Sequence, residues 1–264
     1  MRKIKLSGLK SRRSLAVILL APILAAGLLL QSAFAADVRI GTEGAYPPWN
    51  FIDDSGKLAG FEIDLGNAIC EKAGVTCEFV QNEWDSIIPN LLAGNYDVIM
   101  AGMSITDERM ETIDFSSDYF PPDPSRYAAA AGSDFDFANL SGVKIGAQGA
   151  TIQADYLEAN FKDGNTLLSY ETPDQSVADL MAGNIDILLA DGEFLSPVVD
   201  GSAGKLAFVG PGVEIGGGVG IGMRKDDKEL QEKLAAALEE LKADGTVDKL
   251  IKASFDKETN YANQ

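Results

Sequence analysis

The segment VRIGTEGA at residues 38–45 recurs as VKIGAQGA at residues 143–150, and this repeat decides the fold. In both copies a short β-branched run leads into a turn that contains glycine, which predicts a strand followed by a tight turn. A second pair follows in the same order, LAGNYDVIMAG at residues 92–102 and MAGNIDILLAD at residues 181–191. Each of these indicates a helix end, a Gly-Asn turn and a buried strand. We therefore expect two lobes of similar βαβ design, with a chance similarity between βα units as the alternative.

The residues between the repeats alternate between helix and strand patterns, which predicts an α/β fold with helices on the faces of its sheets. Asp53 to Gly56 predicts a hairpin turn between two apolar runs. Ser86 has the residue type of a helix N-cap. Apolar spacing predicts these elements: helices at 61–72, 86–92, 153–161 and 174–181, and strands at 78–80 and 207–209.

Proline and glycine mark two places where the chain changes lobe, PPDP at residues 121–124 and GGGVGIG at residues 216–222. Two further helices, predicted at 228–242 and 247–255, are too short to form a domain and should pack back onto the first lobe. Two crossings make a hinge, whereas a pair of ordinary loops in one domain is the alternative. The predicted boundaries are residues 36–121 plus 218–264 for lobe 1 and residues 122–217 for lobe 2.

Residues 1–35 have the pattern of a secretory signal peptide. Six basic residues precede an apolar run from Leu15 to Leu30, and Ala33-Phe34-Ala35 matches the small-x-small cleavage pattern. Cleavage after Ala35 would place the protein outside the cytoplasmic membrane, and the leucine-rich run favours the general export route over the twin-arginine route. A retained N-terminal membrane anchor is the alternative.

The composition excludes several classes of function. Among 264 residues, 22 are Lys or Arg and 40 are Asp or Glu, so the net charge is −18. Removing a leader that holds six basic and no acidic residues makes it −24. Such a chain is unsuited to nucleic acid and is expected to be a monomer. Because the chain lacks histidine and has two cysteines, no catalytic residue, metal or cofactor is predicted.

Cys70 and Cys77 lie seven residues apart, across the end of a predicted helix. In an oxidising compartment we expect them to form a disulfide. A reactive thiol pair is the alternative, although the spacing is not that of a C-x-x-C motif.

Five ordered motifs give the sequence a family resemblance. They are GTEGAYPPW (41–49), GFEIDL (60–65), WDSIIP (84–89), MSITDER (103–109) and IDFS (113–116). Across residues 38–256 the chain resembles the polar amino-acid group of periplasmic solute-binding proteins, in particular the members that bind histidine, lysine/arginine/ornithine or the opines octopine and nopaline. The paired cysteines also resemble those of the histidine and lysine/arginine/ornithine binders.

The resemblance implies a type II periplasmic binding protein with two α/β lobes, joined by two hinge strands and closing on an amino acid. It also implies a periplasmic location and delivery of the ligand to inner-membrane ABC permease subunits. Ligands of open α/β sheets bind at the carboxyl ends of strands, where Gly102 of one lobe and Asp191 of the other are expected to face each other.

The resemblance assigns the ends of the amino acid to residues of both lobes. Arg109 would bind the α-carboxylate through its guanidinium fork, and Ser104 would add a hydroxyl and a backbone N–H. The N–H of Thr151 would reach the same carboxylate from a helix start. Asp191 would bind the α-ammonium, with a helix N-cap as the alternative role.

The resemblance assigns the ligand side chain to a second group of residues. Glu43 would pair with a cationic head group. Gln148 is the counterpart of Glu43 in the second copy of the repeat, and from that position it could contact the tip of the ligand side chain. Tyr46 and Trp84 would lie on either side of the stem or guanidinium, with core packing as the alternative.

The sequence departs from the histidine and lysine/arginine/ornithine binders at three positions. Ala101 and Gly102 replace two serines, and Ile152 replaces a threonine. The pocket should therefore be roomier and less polar, closer to those of arginine and opine binders. The leading hypothesis is a transport protein for a cationic amino acid of the arginine, ornithine or lysine type. The alternatives are a binder of opines or other polar amino acids, a free sensor module, and a dehydratase of the same fold, which would need an acid–base pair.

Overall fold

Two five-stranded sheets organise the chain in the computed structural model, which describes residues 36–263. The predicted signal peptide lies outside the described residues. Among the helices at 36–263, none is long and apolar enough to cross a membrane. The strands are β1 (Val38–Thr42), β2 (Ala45–Tyr46), β3 (Asn50–Ile52), β4 (Leu58–Ala59), β5 (Cys77–Gln81), β6 (Val98–Ile99), β7 (Asp114–Phe115), β8 (Ser125–Ala130), β9 (Lys144–Gln148), β10 (Thr166–Tyr170), β11 (Ile187–Asp191), β12 (Leu206–Val213) and β13 (Gly222–Met223).

The two large sheets have the same topology. The first has the order β5–β1–β6–β13–β7 and the second the order β10–β9–β11–β8–β12. In each, the first three strands are parallel and the remaining two are antiparallel to their neighbours. The repeated segments therefore hold equivalent places, β1 with β9 and β6 with β11, which confirms two lobes of similar design. We call the lobe built on the first sheet lobe 1 and the other lobe 2.

The glycine shared by the repeated strands has a packing role in each lobe. A Cβ atom on Gly41 would lie 2.5 Å from the ring of Tyr96, and one on Gly146 would lie 2.7 Å from Ile185. Any larger residue would push these buried side chains away from the sheet. The repeat in sequence thus reflects the same close approach of a side chain to β1 and to β9, the second strand of each sheet.

The helices lie close to their predicted positions. Their bounds are α1 (Phe61–Ala73), α2 (Ile87–Leu92), α3 (Asp107–Thr112), α4 (Ile152–Phe161), α5 (Pro173–Ala182), α6 (Gly192–Gly201), α7 (Lys228–Ala243) and α8 (Thr246–Phe255). α1 ends at Gly74 in the left-handed conformation with φ 68°, as helices that end on glycine do. The predicted turn after β3 closes a hairpin with β4, in which the Asp53 N–H donates to the Lys57 carbonyl at 2.8 Å.

One cap prediction is wrong. Ser86 occupies the N-cap position of α2, but its side chain makes no capping hydrogen bond. It belongs to a 3₁₀ turn at Trp84–Ser86, and its hydroxyl instead accepts a hydrogen bond from Asn82 Nδ2 at 2.9 Å. The preceding 3₁₀ turn leads the chain directly into the helix, so Ser86 lacks the extended conformation of a capping residue.

The chain passes from the first sheet to the second between β7 and β8, and returns between β12 and β13. The crossing segments lie side by side, because the Tyr119 N–H donates to the Val219 carbonyl at 2.7 Å and the Val219 N–H donates to the Phe120 carbonyl at 2.9 Å. The chain therefore crosses between the sheets at the two predicted places, and a hinge motion there stays a prediction. The proposed boundaries, after residues 121 and 217, fall within these segments.

The C-terminal helices α7 and α8 pack against α1 of lobe 1. Beyond them, the Lys257 ammonium contacts Asp123 Oδ1 of the first crossing segment at 2.8 Å and Glu193 Oε1 of α6 in lobe 2 at 2.6 Å. This three-residue cluster ties the C-terminal segment to the hinge and to lobe 2. On lobe 1, a disulfide joins Cys70 to Cys77, as predicted.

Candidate ligand-binding site

A cavity between the two lobes is lined by all nine residues that the sequence analysis singled out. Counted with the space that is open to solvent, it measures about 520 Å³. The residues follow the carboxyl ends of parallel strands in both sheets, the edge where ligands of open α/β sheets bind. They are Glu43, Tyr46, Trp84, Gly102, Ser104, Arg109, Gln148, Thr151 and Asp191.

The structure adds lining residues that the sequence analysis missed. The same strand-end rule could have found several of them, because Pro173 and Ser176 lie in the first turns of α5, after β10, and Phe194 lies in the first turn of α6, after β11. Gln153 lies in the first turn of α4, next to the loop already selected. Leu189 and Ala190 also line the cavity, together with Ala101 and Ile152, which the sequence marked only as departures from relatives.

Arg109 is the only basic side chain among the described residues that line the cavity. Thr106 caps α3 by accepting a hydrogen bond from the Arg109 N–H at 3.1 Å, and so fixes where the helix that carries Arg109 begins. The guanidinium donates to the Ser104 carbonyl at 2.8 Å, and its central carbon lies 5.3 Å from the centre of the Trp84 ring. Burial lowers the pKa of Arg109, and nearby carboxylates, Asp191 first among them, oppose that effect.

Asp191 ends β11 and faces the cavity from lobe 2. It stands at the N-cap position of α6, but its side chain makes no capping bond. Its carboxylate accepts hydrogen bonds from Tyr46 Oη of lobe 1 at 2.6 Å and from Gln153 Nε2 at 2.7 Å. Burial raises the pKa of Asp191, against the effects of the Tyr46 hydrogen bond and the Arg109 charge. The Asp191 side chain therefore does not cap α6 and instead lines the cavity.

Glu43 and Gln148 close one end of the cavity from opposite lobes. Glu43 is 5% exposed, and its carboxylate accepts a hydrogen bond from Gln148 Nε2 at 2.6 Å. Burial raises the pKa of Glu43 to about 7; the Gln148 hydrogen bond opposes this, and the charges of Asp85 and Asp174 add to it. The largest causes of this shift are burial, the Gln148 hydrogen bond and neighbouring acids, and none of them is a basic residue. A cationic group brought to this end would therefore meet a carboxylate that lacks a charged partner.

The two predicted aromatic residues differ in what they contact. One face of the Tyr46 ring stacks on Phe194 of lobe 2, with ring centres 4.5 Å apart and planes 7° from parallel. Trp84 donates from its indole nitrogen to the Ala150 carbonyl of lobe 2 at 2.9 Å. Both side chains thus contact lobe 2 from lobe 1. One face of the Tyr46 ring is covered by Phe194.

Two further predicted residues shape the cavity through their backbone conformation and hydrogen bonds. The Thr151 hydroxyl accepts from the Ala154 N–H at 3.2 Å and so caps α4, whose first turn lines the cavity. Gly102 has φ 63°, in the left-handed region that favours glycine. Its N–H is directed away from the cavity, to Glu62 Oε1 at 2.7 Å. Any residue with a Cβ in its place would strain this turn.

Comparisons with known proteins agree with this architecture. The family described as bacterial extracellular solute-binding proteins, family 3, matches residues 38–257. The L-arginine-binding protein of Pseudomonas aeruginosa is 39% identical over 233 residues, which cover 84% of this chain and 90% of that protein. The octopine-binding periplasmic protein of Rhizobium meliloti is 38% identical over 241 residues, covering 79% and 82%.

A solved structure is more similar still in sequence. The periplasmic His/Glu/Gln/Arg/opine family-binding protein from Silicibacter pomeroyi, in complex with lysine, is 51% identical and superposes with a TM-score of 0.77, covering 83% of this chain and 97% of that one. The family match runs through both lobes, and these relatives are binding proteins. This chain therefore belongs to family 3 of the bacterial extracellular solute-binding proteins.

Proposed function

We propose that this protein captures a cationic L-amino acid between its lobes in the periplasm and delivers it to an ABC permease in the inner membrane. The observation that carries the proposal is the charge pattern of the cavity, which holds Arg109 against the two carboxylates of Glu43 and Asp191. The three groups sum to −1 when ionised. A cationic amino acid has a net charge of +1, with two positive groups and one negative group. It therefore matches the cavity in net charge and in the number of charged groups of each sign.

The backbone end of such a ligand finds a partner in each lobe. Arg109 of lobe 1 and the N-terminal turn of α4 in lobe 2 suit an α-carboxylate, because a guanidinium and the N–H groups of a helix start both favour an anion. Asp191 suits the α-ammonium: a carboxylate has about four lone-pair sites, of which Tyr46 and Gln153 occupy two.

The side-chain end favours a cation over a neutral or acidic group. A ligand ammonium or guanidinium would give Glu43 the charged partner that the protein does not supply, and would stabilise its ionised form. The acidic side chain of glutamate would instead place a second carboxylate beside Glu43. A neutral amide leaves the carboxylate buried without charge compensation.

Opines are the second candidate, supported by the similarity to the octopine-binding protein. An opine carries a second carboxylate, but the described cavity residues include one basic side chain, Arg109. We therefore expect octopine to bind more weakly than arginine.

The placement of these groups gives a physical reason for closure. Arg109 and Glu43 lie on lobe 1, and Asp191, Gln148 and α4 lie on lobe 2. A ligand that bridges them binds a closed arrangement more tightly than an open one and shifts the population toward it. The protein acts as a monomeric carrier in this scheme and catalyses no reaction, which fits a cavity whose ionisable groups all have ligand charges to meet.

Calorimetry on residues 36–264, refolded from denaturant to remove retained ligand, tests the proposal. We expect binding of L-arginine, L-ornithine or L-lysine at micromolar concentrations or below, with L-glutamine and L-glutamate at least about tenfold weaker. Octopine and L-histidine complete the panel. Tighter binding of octopine than of any cationic amino acid would favour the second candidate, and binding of glutamate or glutamine alone would overturn the assignment of Glu43.

Two variants separate the two ends of the ligand. Arg109→Ala should lose about 3 kcal/mol of binding free energy for every amino acid in the panel, because it removes a charge-assisted carboxylate partner. Glu43→Gln should weaken the cationic ligands and leave glutamine within about threefold. Folding is checked by circular dichroism for both variants. Retained arginine affinity in folded Arg109→Ala would refute the carboxylate role.

A further inference from the structure

Glu62 is a buried carboxylate that lies behind the candidate site. It is the second residue of α1, has no exposed surface, and takes part in no ion pair with the described residues. A carboxylate so placed must be satisfied by hydrogen bonds. Three donors surround it: the Gly102 N–H at 2.7 Å and the Tyr119 hydroxyl on Oε1, and Asn50 Nδ2 at 2.7 Å on Oε2.

These bonds connect Glu62 to two of the segments of lobe 1 that line the cavity. Gly102 belongs to the loop that leads to Ser104 and Arg109. Asn50 passes the connection on, because its Oδ1 accepts from the Gly44 N–H at 2.7 Å, next to Glu43. One carboxylate therefore fixes the loop at the carboxylate end and, through one amide, the loop at the side-chain end.

We propose that Glu62 is a positioning residue of the ligand site, which holds the Gly44 and Gly102 loops of lobe 1 in register through its own hydrogen bonds and those of Asn50. The inference rests on the proposed function, because it assigns Glu62 a part in amino-acid binding without contact with the ligand. It also makes a statement about the two loops that holds whatever the ligand is.

The direction of the hydrogen bonds makes the proposal testable. In Glu62→Gln the new side-chain amide must point its NH₂ group either toward the Gly102 N–H or toward Asn50. In the first orientation, the NH₂ group of the new glutamine faces the Gly102 N–H, and both groups are donors. In the second, Asn50 must turn its oxygen to the new amide, and its own NH₂ then faces the Gly44 N–H. Either way, one backbone N–H of a cavity loop loses its acceptor.

Exchanging the two residue types restores every pair. In the double variant Glu62→Gln, Asn50→Asp, the glutamine oxygen accepts from Gly102 and from Tyr119. Its NH₂ donates to the new aspartate, whose other oxygen accepts from Gly44. The double variant keeps one buried negative charge, which moves from residue 62 to residue 50. A residue that matters only for packing volume would gain nothing from this exchange.

The test compares wild type, Glu62→Gln, the double variant and Tyr119→Phe, which removes a donor without disturbing either glycine. L-Arginine affinity is measured by calorimetry, and hydrogen exchange of the Gly44 and Gly102 amides is measured by NMR on the ligand-free proteins. We expect Glu62→Gln to bind about tenfold more weakly and to expose at least one of the two amides. The double variant and Tyr119→Phe should stay within about threefold of wild type, with both amides protected.

Wild-type affinity together with wild-type protection in Glu62→Gln would overturn the proposal. So would a double variant that is folded at the assay temperature yet binds no better than Glu62→Gln. If wild type binds none of the amino acids tested, the proposed function fails, and exchange of the two amides alone decides the role of Glu62. Should Glu62→Gln not fold, the comparison of the double variant with wild type gives the decision.

Discussion

Replacing Glu43 with glutamine should stabilise the folded protein at pH 8 and leave its stability nearly unchanged at pH 4. The reason is that the folded protein buries this carboxylate beside other acids, with an amide as its hydrogen-bond donor. Glutamine keeps the size of the side chain, and its oxygen can accept the same hydrogen bond from Gln148. The substitution therefore removes the buried charge and little else.

The size of the effect follows from the pKa of Glu43, which burial raises from 4.5 to about 7. Because the folded protein holds the proton more tightly than the unfolded chain, stability is highest below pH 4.5 and falls as the pH rises toward 7. Above pH 7 the loss is complete and amounts to about 3 kcal/mol. The variant lacks this loss, so its advantage over wild type should grow from near zero at pH 4 to about 3 kcal/mol at pH 8.

Urea unfolding of the ligand-free proteins at several values between pH 4 and pH 8 measures the difference. The matched control is Glu78→Gln, since Glu78 is an exposed glutamate on β5 of the same lobe. We expect that control to follow wild type at every pH. A difference between Glu43→Gln and wild type that does not change with pH would refute the reasoning, even if the variant were more stable.

Three further changes test other parts of the structure. Near pH 7, L-arginine binding should release about half a proton, because a cation lowers the raised pKa of Glu43; calorimetry in two buffers should find no release with Glu43→Gln, and equal release there would contradict the pairing. Cys70→Ser, Cys77→Ser should lower the free energy of unfolding by about 2 kcal/mol with arginine affinity unchanged, since the disulfide lies outside the cavity. Lys257→Met should weaken arginine binding by about threefold or more, because the carboxylates of Asp123 and Glu193 are then left facing each other without a cation. Unchanged affinity by calorimetry would show that the cluster of Lys257, Asp123 and Glu193 does not contribute to lobe closure.

The fold could be predicted because its signals are local. Hydrophobic periodicity and Gly-Asn turns marked the strands and helices. The two repeated pairs of segments predicted two lobes of similar βαβ design, and the matching strand orders of the two sheets confirm it. The failure at Ser86 has a local cause too, since residue type alone does not distinguish an N-cap from the end of a 3₁₀ turn.

The site could be predicted only in part. Family motifs and the repeated strand ends together selected nine residues, and the structure brings all nine to one cavity. What they touch there was not predictable, because the partners are remote in sequence. The hydroxyl of Tyr46 bonds to Asp191, 145 residues away, and one face of its ring packs on Phe194. The role of Glu62 depends in the same way on contacts with residues 50, 102 and 119, which share no pattern with it.

The buried acids connect the stability of this protein to its function. Burial raises the pKa of three acids, Glu43, Glu62 and Asp191. Among the described residues that line the cavity, Arg109 supplies the one basic side chain. Glu62 differs from the other two, because its three donors satisfy it within lobe 1, whereas the carboxylates of Glu43 and Asp191 face the cavity. Folding therefore leaves two carboxylates that a ligand can stabilise further, and a ligand with two positive groups does so best. Substitutions that relieve this cost within the protein should stabilise it and weaken binding together, as is common where a site holds uncompensated charge.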